Sequence, residues 1–367
     1  MSLFASFRGS SADSLSQVGS LNEGLSRSLK LTFLNTLIRP ARHLENSDAV
    51  SFAEQQIDLT LAKMTREALN SAGLQSRTSD NSFGQMHYYD SQPNSNEPPV
   101  VLLHGIGSSG QCFSMLALML LNKRRVVMPD LFHFSGFSRP NNPIMSIEQH
   151  TLAVAEFIES ISNEPADIVG LSLGGWIAMK LAIDKPTLVK SLSLLNPGGL
   201  KYRAHTLRDT LLYLSWSKFH SIYPGIMSVY PYSGVPMISP VLKRGLYRVL
   251  KSESVRDFVK TIRTKDFVDD QIHRIQCPVQ LLWGVEDRLL STETPLAIIK
   301  ALPDCQAYWV REAAHILCLE APVNVYECLV RFLKIEHIED NKFVTMVRGL
   351  HRIYPMQAIS TKEAEHI

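Results

Sequence analysis

Charge of one sign is in short supply in this 367-residue chain. Its 37 Lys and Arg are set against 35 Asp and Glu, for a formal net charge of +2. A nucleic-acid binder normally shows a marked basic excess or a basic stripe, and neither is present. Lys123, Arg124 and Arg125 form one short run, which reads as solvated surface at a turn. Cysteine is also scarce. Cys112, Cys277, Cys305, Cys318 and Cys328 are odd in number and contain no Cys-x-x-Cys pair. Neither a disulfide framework nor a zinc site is suggested, so free thiols in a reducing compartment are expected. Long apolar runs are missing as well. No stretch reaches the roughly 18 residues of a spanning helix. The first twenty residues lack a sustained apolar segment and carry Arg8 and Asp13, unlike a secretory leader. A cytoplasmic location follows as the expectation. There are no internal repeats.

What is present divides by texture. Residues 1–95 are rich in Ser, Asn and Gln and read as an N-terminal extension, helical or partly disordered. Leu15, Val18, Leu21, Leu25 and Leu29 recur at irregular helical spacing, and a second helix is expected from about Ala49 to Ala72. The segment 15–38 either docks on the main domain or lies on a membrane surface as an amphipathic helix. Docking is preferred because the polar face is not strongly basic, and peripheral membrane contact remains the alternative. Residues 73–99 read mostly as loop, with a short strand near Met86–Tyr89.

From residue 99 short apolar runs alternate with helical stretches. The runs are at 100–104, 125–130, 167–172, 191–196, 279–284 and 307–310, with helices at 147–162, 175–184, 294–301 and 323–335. Nearly continuous apolar strands suit a parallel sheet buried on both faces, and the alternation predicts a doubly wound α/β fold. Between Asn196 and about Ile275 no strong strand appears. That interval is aromatic-rich, with Tyr213, Trp216, Phe219 and Phe258 among its residues, and reads as a helical insertion. The expected organisation is an extension (1–95), core (96–196), helical cap (197–275), core (276–335) and C-terminal tail (336–367).

Gly170-Leu171-Ser172-Leu173-Gly174 is a G-x-S-x-G match that follows an apolar run and opens a helical one. A nucleophilic serine on a tight strand-to-helix turn needs small flanking residues so that strand and helix can approach. The bland alternative is a turn serine at a glycine-rich helix start. His104-Gly105-Ile106-Gly107 ends the first strong strand. In this arrangement that loop supplies an oxyanion donor, the N–H of Ile106 or else Gly107, beside the N–H of Leu173. His104 itself reads as structural. A serine needs a general base. His315 stands out among twelve histidines because it follows the last predicted strand and precedes a helix, and His133 is its rival. Asp287 lies just beyond the 279–284 strand, as an orienting acid should, with Glu286 adjacent as the alternative and the uncharged Asn196 at the other usual position. The resulting order is Ser172, Asp287, His315.

HGIG, GLSLGG, WGVED and AHILCLEAP together resemble, in order and spacing, the motifs of the α/β-hydrolase superfamily over about residues 99–335. NPGGLKY followed by a helical cap is most similar to monoacylglycerol-lipase-like and related carboxylesterase members. The resemblance implies hydrolysis of a small-molecule ester with an apolar acyl group, through an acyl-enzyme, with no metal or other cofactor. One departure concerns DLFHFSGFS at 130–138. Family members often carry D-L-x-G-x-G-x-S there, and this chain is one residue longer and lacks the first glycine. Carbon–carbon bond hydrolases of ring-cleavage pathways share the Ser-Asp-His set and are the first alternative. A non-catalytic ligand-binding protein of the same fold is the second.

Overall fold

The computed structural model describes residues 48–92, 98–134, 136–201, 252–287, 289–302, 304–335, 342–350 and 353–359. The chain divides after Gly73 into two units. In the first, α1 (Asp48–Ala72) forms the expected second helix. It ends at Gly73, whose φ of 103° suits a glycine cap. The segment 15–38 and its membrane alternative lie outside the described residues.

The second unit is built on one sheet. Its elements in chain order are β1 (Gln75–Asn81), β2 (Gly84–Asp90), β3 (Val100–Leu103), α2 (Ser114–Leu120), β4 (Val126–Pro129), β5 (Arg139–Pro140), α3 (Ile147–Ile161) and β6 (Ala166–Leu171). There follow α4 (Leu173–Asp184), β7 (Val189–Leu195), α5 (Glu253–Thr261), β8 (Val279–Gly284), α6 (Glu293–Ala301) and β9 (Gln306–Val310). The last are α7 (Leu317–Glu320), α8 (Pro322–Phe332), α9 (Lys342–Leu350) and β10 (Met356–Ala358). The strand order is β1-β2-β4-β3-β6-β7-β8-β9-β10, with β5 beside β2. Pairing is parallel from β4 through β9 and antiparallel at both margins.

Burial explains this arrangement. Strands β3, β4, β6 and β8 are buried at every position, as strands covered by helices on both faces must be. The α4 helix, buried from Leu173 through Ile183, is apolar nearly all round and passes through the interior. The α3 helix starts on a capping box. Ser146 Oγ accepts from the Gln149 N–H at 3.3 Å, and the Gln149 side chain accepts from the Ser146 N–H at 2.9 Å.

Two expected boundaries are corrected. The sheet begins at Gln75, inside the segment read as an extension up to residue 95. The β1 sequence QSRTSDN carries no apolar alternation because β1 is a largely exposed edge strand. The tail from 336 likewise re-enters the fold, since Met356, Gln357 and Ala358 pair with Val310, Trp309 and Tyr308 of β9. Of the expected cap, residues 202–251 lie outside the described residues. The described remainder carries α5 and is anchored to the core by Trp176 Nε1, which donates to the Asp266 carbonyl at 2.8 Å, while within the segment the Val268 N–H donates to the Gly199 carbonyl at 2.9 Å.

Candidate active site

The site is assembled at the C-terminal ends of the central strands. The β6 strand ends at Leu171 and α4 begins at Leu173, which leaves Ser172 alone at the bend with φ 54° and ψ −113°. A non-glycine residue there stores about 1–3 kcal/mol of strain, and the surroundings hold it in place. The Ser172 N–H donates to the Leu195 carbonyl at 3.0 Å, while its carbonyl accepts from the N–H groups of Trp176 at 3.1 Å and Gly198 at 3.0 Å.

The glycines of the motif are there for close approach. A Cβ on Gly174 would collide with the Leu103 carbonyl, and one on Gly170 would come within 2.6 Å of Gly175 Cα. One on Gly105 would lie 3.3 Å from Ser172 Cβ, so the loop after β3 sits directly on the bend. Gly107 takes φ 73° in the same loop. Neither the Ile106 nor the Leu173 N–H donates to another of the described residues. The His104 side chain is buried, accepts from the Leu131 N–H through Nε2 at 2.8 Å, and has its pKa lowered by burial. It fixes the loop, as its structural reading expected.

Across the sheet, His315 Nδ1 lies 2.7 Å from Asp287 Oδ2, and both side chains are buried. Asp287 Oδ1 accepts from the N–H groups of Leu289 at 2.8 Å and Leu290 at 3.1 Å. The neighbouring Glu286 makes its connection through the backbone instead, its N–H donating to the Ala313 carbonyl at 2.9 Å. A carboxylate can only accept, so a neutral His315 that donates Nδ1–H to Asp287 would keep its free lone pair on Nε2. The structure thus brings Asp287 and His315 into contact. No hydrogen bond joins Ser172 to His315 among the described residues, a separation common in unliganded sites.

The rival base, His133, lies elsewhere. Its ring meets that of His150 at 6.3 Å, edge to face, and the Nε2 atoms of both are buried without a hydrogen-bond partner. Burial lowers both pKa values, that of His150 to about 3. His133 occupies the position of the missing glycine in DLFHFSGFS and adopts φ 66°, so the backbone keeps the turn despite the substitution. Among the described residues no group of three or more His, Cys, Asp or Glu is disposed to hold a metal ion.

Two residues that brace the His315 loop have no such part in the sequence reading, where Asn196 is only an uncharged residue at the other usual acid position and Glu320 is not singled out. Asn196, at φ 42°, accepts from the Gly284 N–H and donates to the Ala314 carbonyl, both at 2.8 Å. It ties the ends of β7 and β8 to the His315 loop. Glu320 accepts from the N–H groups of Ala314 at 3.0 Å and Ile316 at 2.9 Å. Burial pushes its carboxyl up to about 7. A single acid inside the apolar run of AHILCLEAP was the available signal.

A strained serine between a buried strand and a helix and an Asp–His pair stand at the same end of one mostly parallel sheet, in a fold of the α/β-hydrolase type. The chain belongs to the alpha/beta hydrolase family, whose model matches residues 100–327. It is 23% identical to the human monoacylglycerol lipase ABHD6 over 278 residues, covering 67% of this chain and 78% of the lipase. It is 24% identical to the uncharacterized carboxylesterase nap of Bacillus subtilis, covering 69% of this chain and 85% of that protein. Among solved structures, a putative lipase from Acinetobacter baumannii superposes with a TM-score of 0.64 at 24% identity, covering 75% of this chain and 96% of the lipase. Among the described residues no helix is long and apolar enough to cross a membrane.

Proposed function

We propose that the protein hydrolyses carboxylic esters of apolar acyl groups through an acyl-enzyme on Ser172. The observation that carries this reading is the 2.7 Å contact between His315 Nδ1 and Asp287 Oδ2, at the same end of the sheet as the strained Ser172. Asp287 holds the imidazole in the tautomer whose Nε2 is basic. As His315 takes the hydroxyl proton, Ser172 Oγ attacks the ester carbonyl. The developing oxyanion is received by the Ile106 and Leu173 N–H groups. The imidazolium then protonates the departing alcohol, and a water activated by the same nitrogen releases the acid. No metal or other cofactor enters this sequence.

The family and the lipase and carboxylesterase names of the relatives support ester chemistry. The apolar preference rests on the aromatic content of the insertion and on Phe134 and Phe258, which meet edge to face at 5.5 Å. Peripheral membrane contact through residues 15–38 of a cytoplasmic protein belongs to the same reading. The test is a series of p-nitrophenyl esters from acetate to palmitate, run on the wild type and Ser172→Ala, with a ring-cleavage diketone as control. Turnover rising with chain length and lost in the variant is expected. Cleavage of the diketone in preference to every ester would replace this reading with the carbon–carbon hydrolase.

A further inference from the structure

Glu320 is buried, and the charged groups that act on it are His315 and Asp287. Its two oxygens are spent on the backbone amides of Ala314 and Ile316, the residues immediately before and after His315. Both amides precede α7, so neither has an acceptor inside that short helix. One side chain therefore clamps the chain on both sides of the imidazole. A glutamine could accept at one of these positions and would present a donor to the other, so two convergent N–H groups call for a carboxylate.

That choice is unfavourable for the fold. A carboxylate removed from water without a neighbouring cation favours its neutral form. The remaining titratable neighbour is Cys318 of the same helix, whose buried thiol is itself raised, in part by Glu320, and which lies in hydrogen-bonding reach of Cys112. None of these groups neutralises Glu320. The group it faces that can become positive is His315, during turnover.

We infer that Glu320 is a positioning residue for His315: it fixes the base through the Ala314 and Ile316 amides and favours the imidazolium formed as Ser172 attacks. The inference rests on the reading of His315 as general base. Since Glu320 is directed at backbone rather than at bound ester, its removal acts on kcat and leaves KM alone. It also acts on the pH profile. The Glu320 carboxyl takes up its proton near pH 7 and in that form has one oxygen fewer free to accept from the two amides, so the wild-type acid limb includes this titration, and a glutamine, which has none, moves the limb to lower pH.

The experiment is Glu320→Gln in the full chain, with kcat and KM for a p-nitrophenyl ester measured from pH 5 to 9. A kcat lowered about 10- to 100-fold, an unchanged KM and an acid limb displaced to lower pH are expected. Glu320→Asp, which keeps the charge and loses the reach, lowers kcat without displacing the limb. A Glu320→Gln enzyme with wild-type kcat, or with an unmoved limb, overturns the inference. Should Glu320→Gln not fold, hydrogen exchange on the wild type decides. The Ala314 and Ile316 amides are protected at pH 8 and less so below pH 7, and exposed amides at pH 8 would be the contrary result. Wild-type protein that never reacts at Ser172 defeats the esterase reading itself, whereas normal turnover that survives Glu320→Gln defeats this inference alone.

Discussion

At the edge of the sheet, Ser76 Oγ lies 2.8 Å from His87 Nε2, and His87 Nδ1 lies 2.7 Å from Asp130 Oδ2. At the C-terminal ends of the central strands, His315 Nδ1 lies 2.7 Å from Asp287 Oδ2, and Ser172 makes no hydrogen bond to His315. By connectivity alone the first set is the more complete. Its surroundings differ, however. Ser76 belongs to an extended edge strand, in register with Tyr89, with no helix N-terminus behind it. Asp130 also accepts from the N–H groups of Gly110 at 2.8 Å and Phe137 at 2.9 Å, so it clips the β1–β2 hairpin to the loops after β3 and β4. Ser172 is held at positive φ with the Ile106 and Leu173 amides unspent beside it. A chain of polar contacts lowers the energy of the ground state, whereas acyl transfer needs donors placed for a charge that does not yet exist.

The comparison is broken most sharply by paired serine substitutions. Ser172→Ala is expected to lower kcat by about 10⁴ to 10⁶, while Ser76→Ala leaves it within about threefold, both measured on the preferred p-nitrophenyl ester. Next in size is Asp287→Asn, expected to cost on the order of 10⁴ in kcat because the wrong imidazole tautomer is favoured. Glu286→Gln is the control, and equal losses in the two would show that the orienting acid is misassigned. His87→Ala should separate the two sets from the other side. It removes a partner from buried Asp130 and is expected to cost about 1–3 kcal/mol in urea unfolding, with kcat per folded molecule retained.

The sequence made the central part of this legible. The strands are apolar runs because both faces are covered, and Gly170 and Gly174 flank Ser172 at positions where close packing admits no Cβ. Asp287 and His315 follow strands, where position along the chain predicts position in space. Of the edge hairpin at 75–90, β2 was legible as the short strand near Met86–Tyr89, whereas β1 was obscured because it is polar on both faces, and β10 because three residues leave no periodicity. Asn196 and Glu320 act on backbone amides and carbonyls far away in sequence, and such bonds impose no spacing that a pattern could reveal. Ser76, His87 and Asp130 were passed over for the same reason.

A smaller effect concerns pH and stability. Burial raises the folded Glu320 carboxyl to about 7 from an ordinary 4.5, so the folded chain binds this proton more tightly than the unfolded chain does. The stability linked to it is full below pH 4.5 and is lost as the pH rises through 7. Relative to Glu320→Gln, the wild type should therefore lose roughly 3 kcal/mol across that interval, read from urea unfolding at each pH. Parallel pH profiles for the two proteins would show that the carboxyl is not held in this environment.

The most direct measurement maps the site of reaction with a fluorophosphonate. The protein is labelled at neutral pH, digested, and the modified peptide sequenced by mass spectrometry. One adduct on Ser172, absent when His315 is changed to Ala, is the expected result. An adduct on Ser76 instead, or none on the folded wild type, would contradict the claim that the strained serine at the head of α4 is the nucleophile.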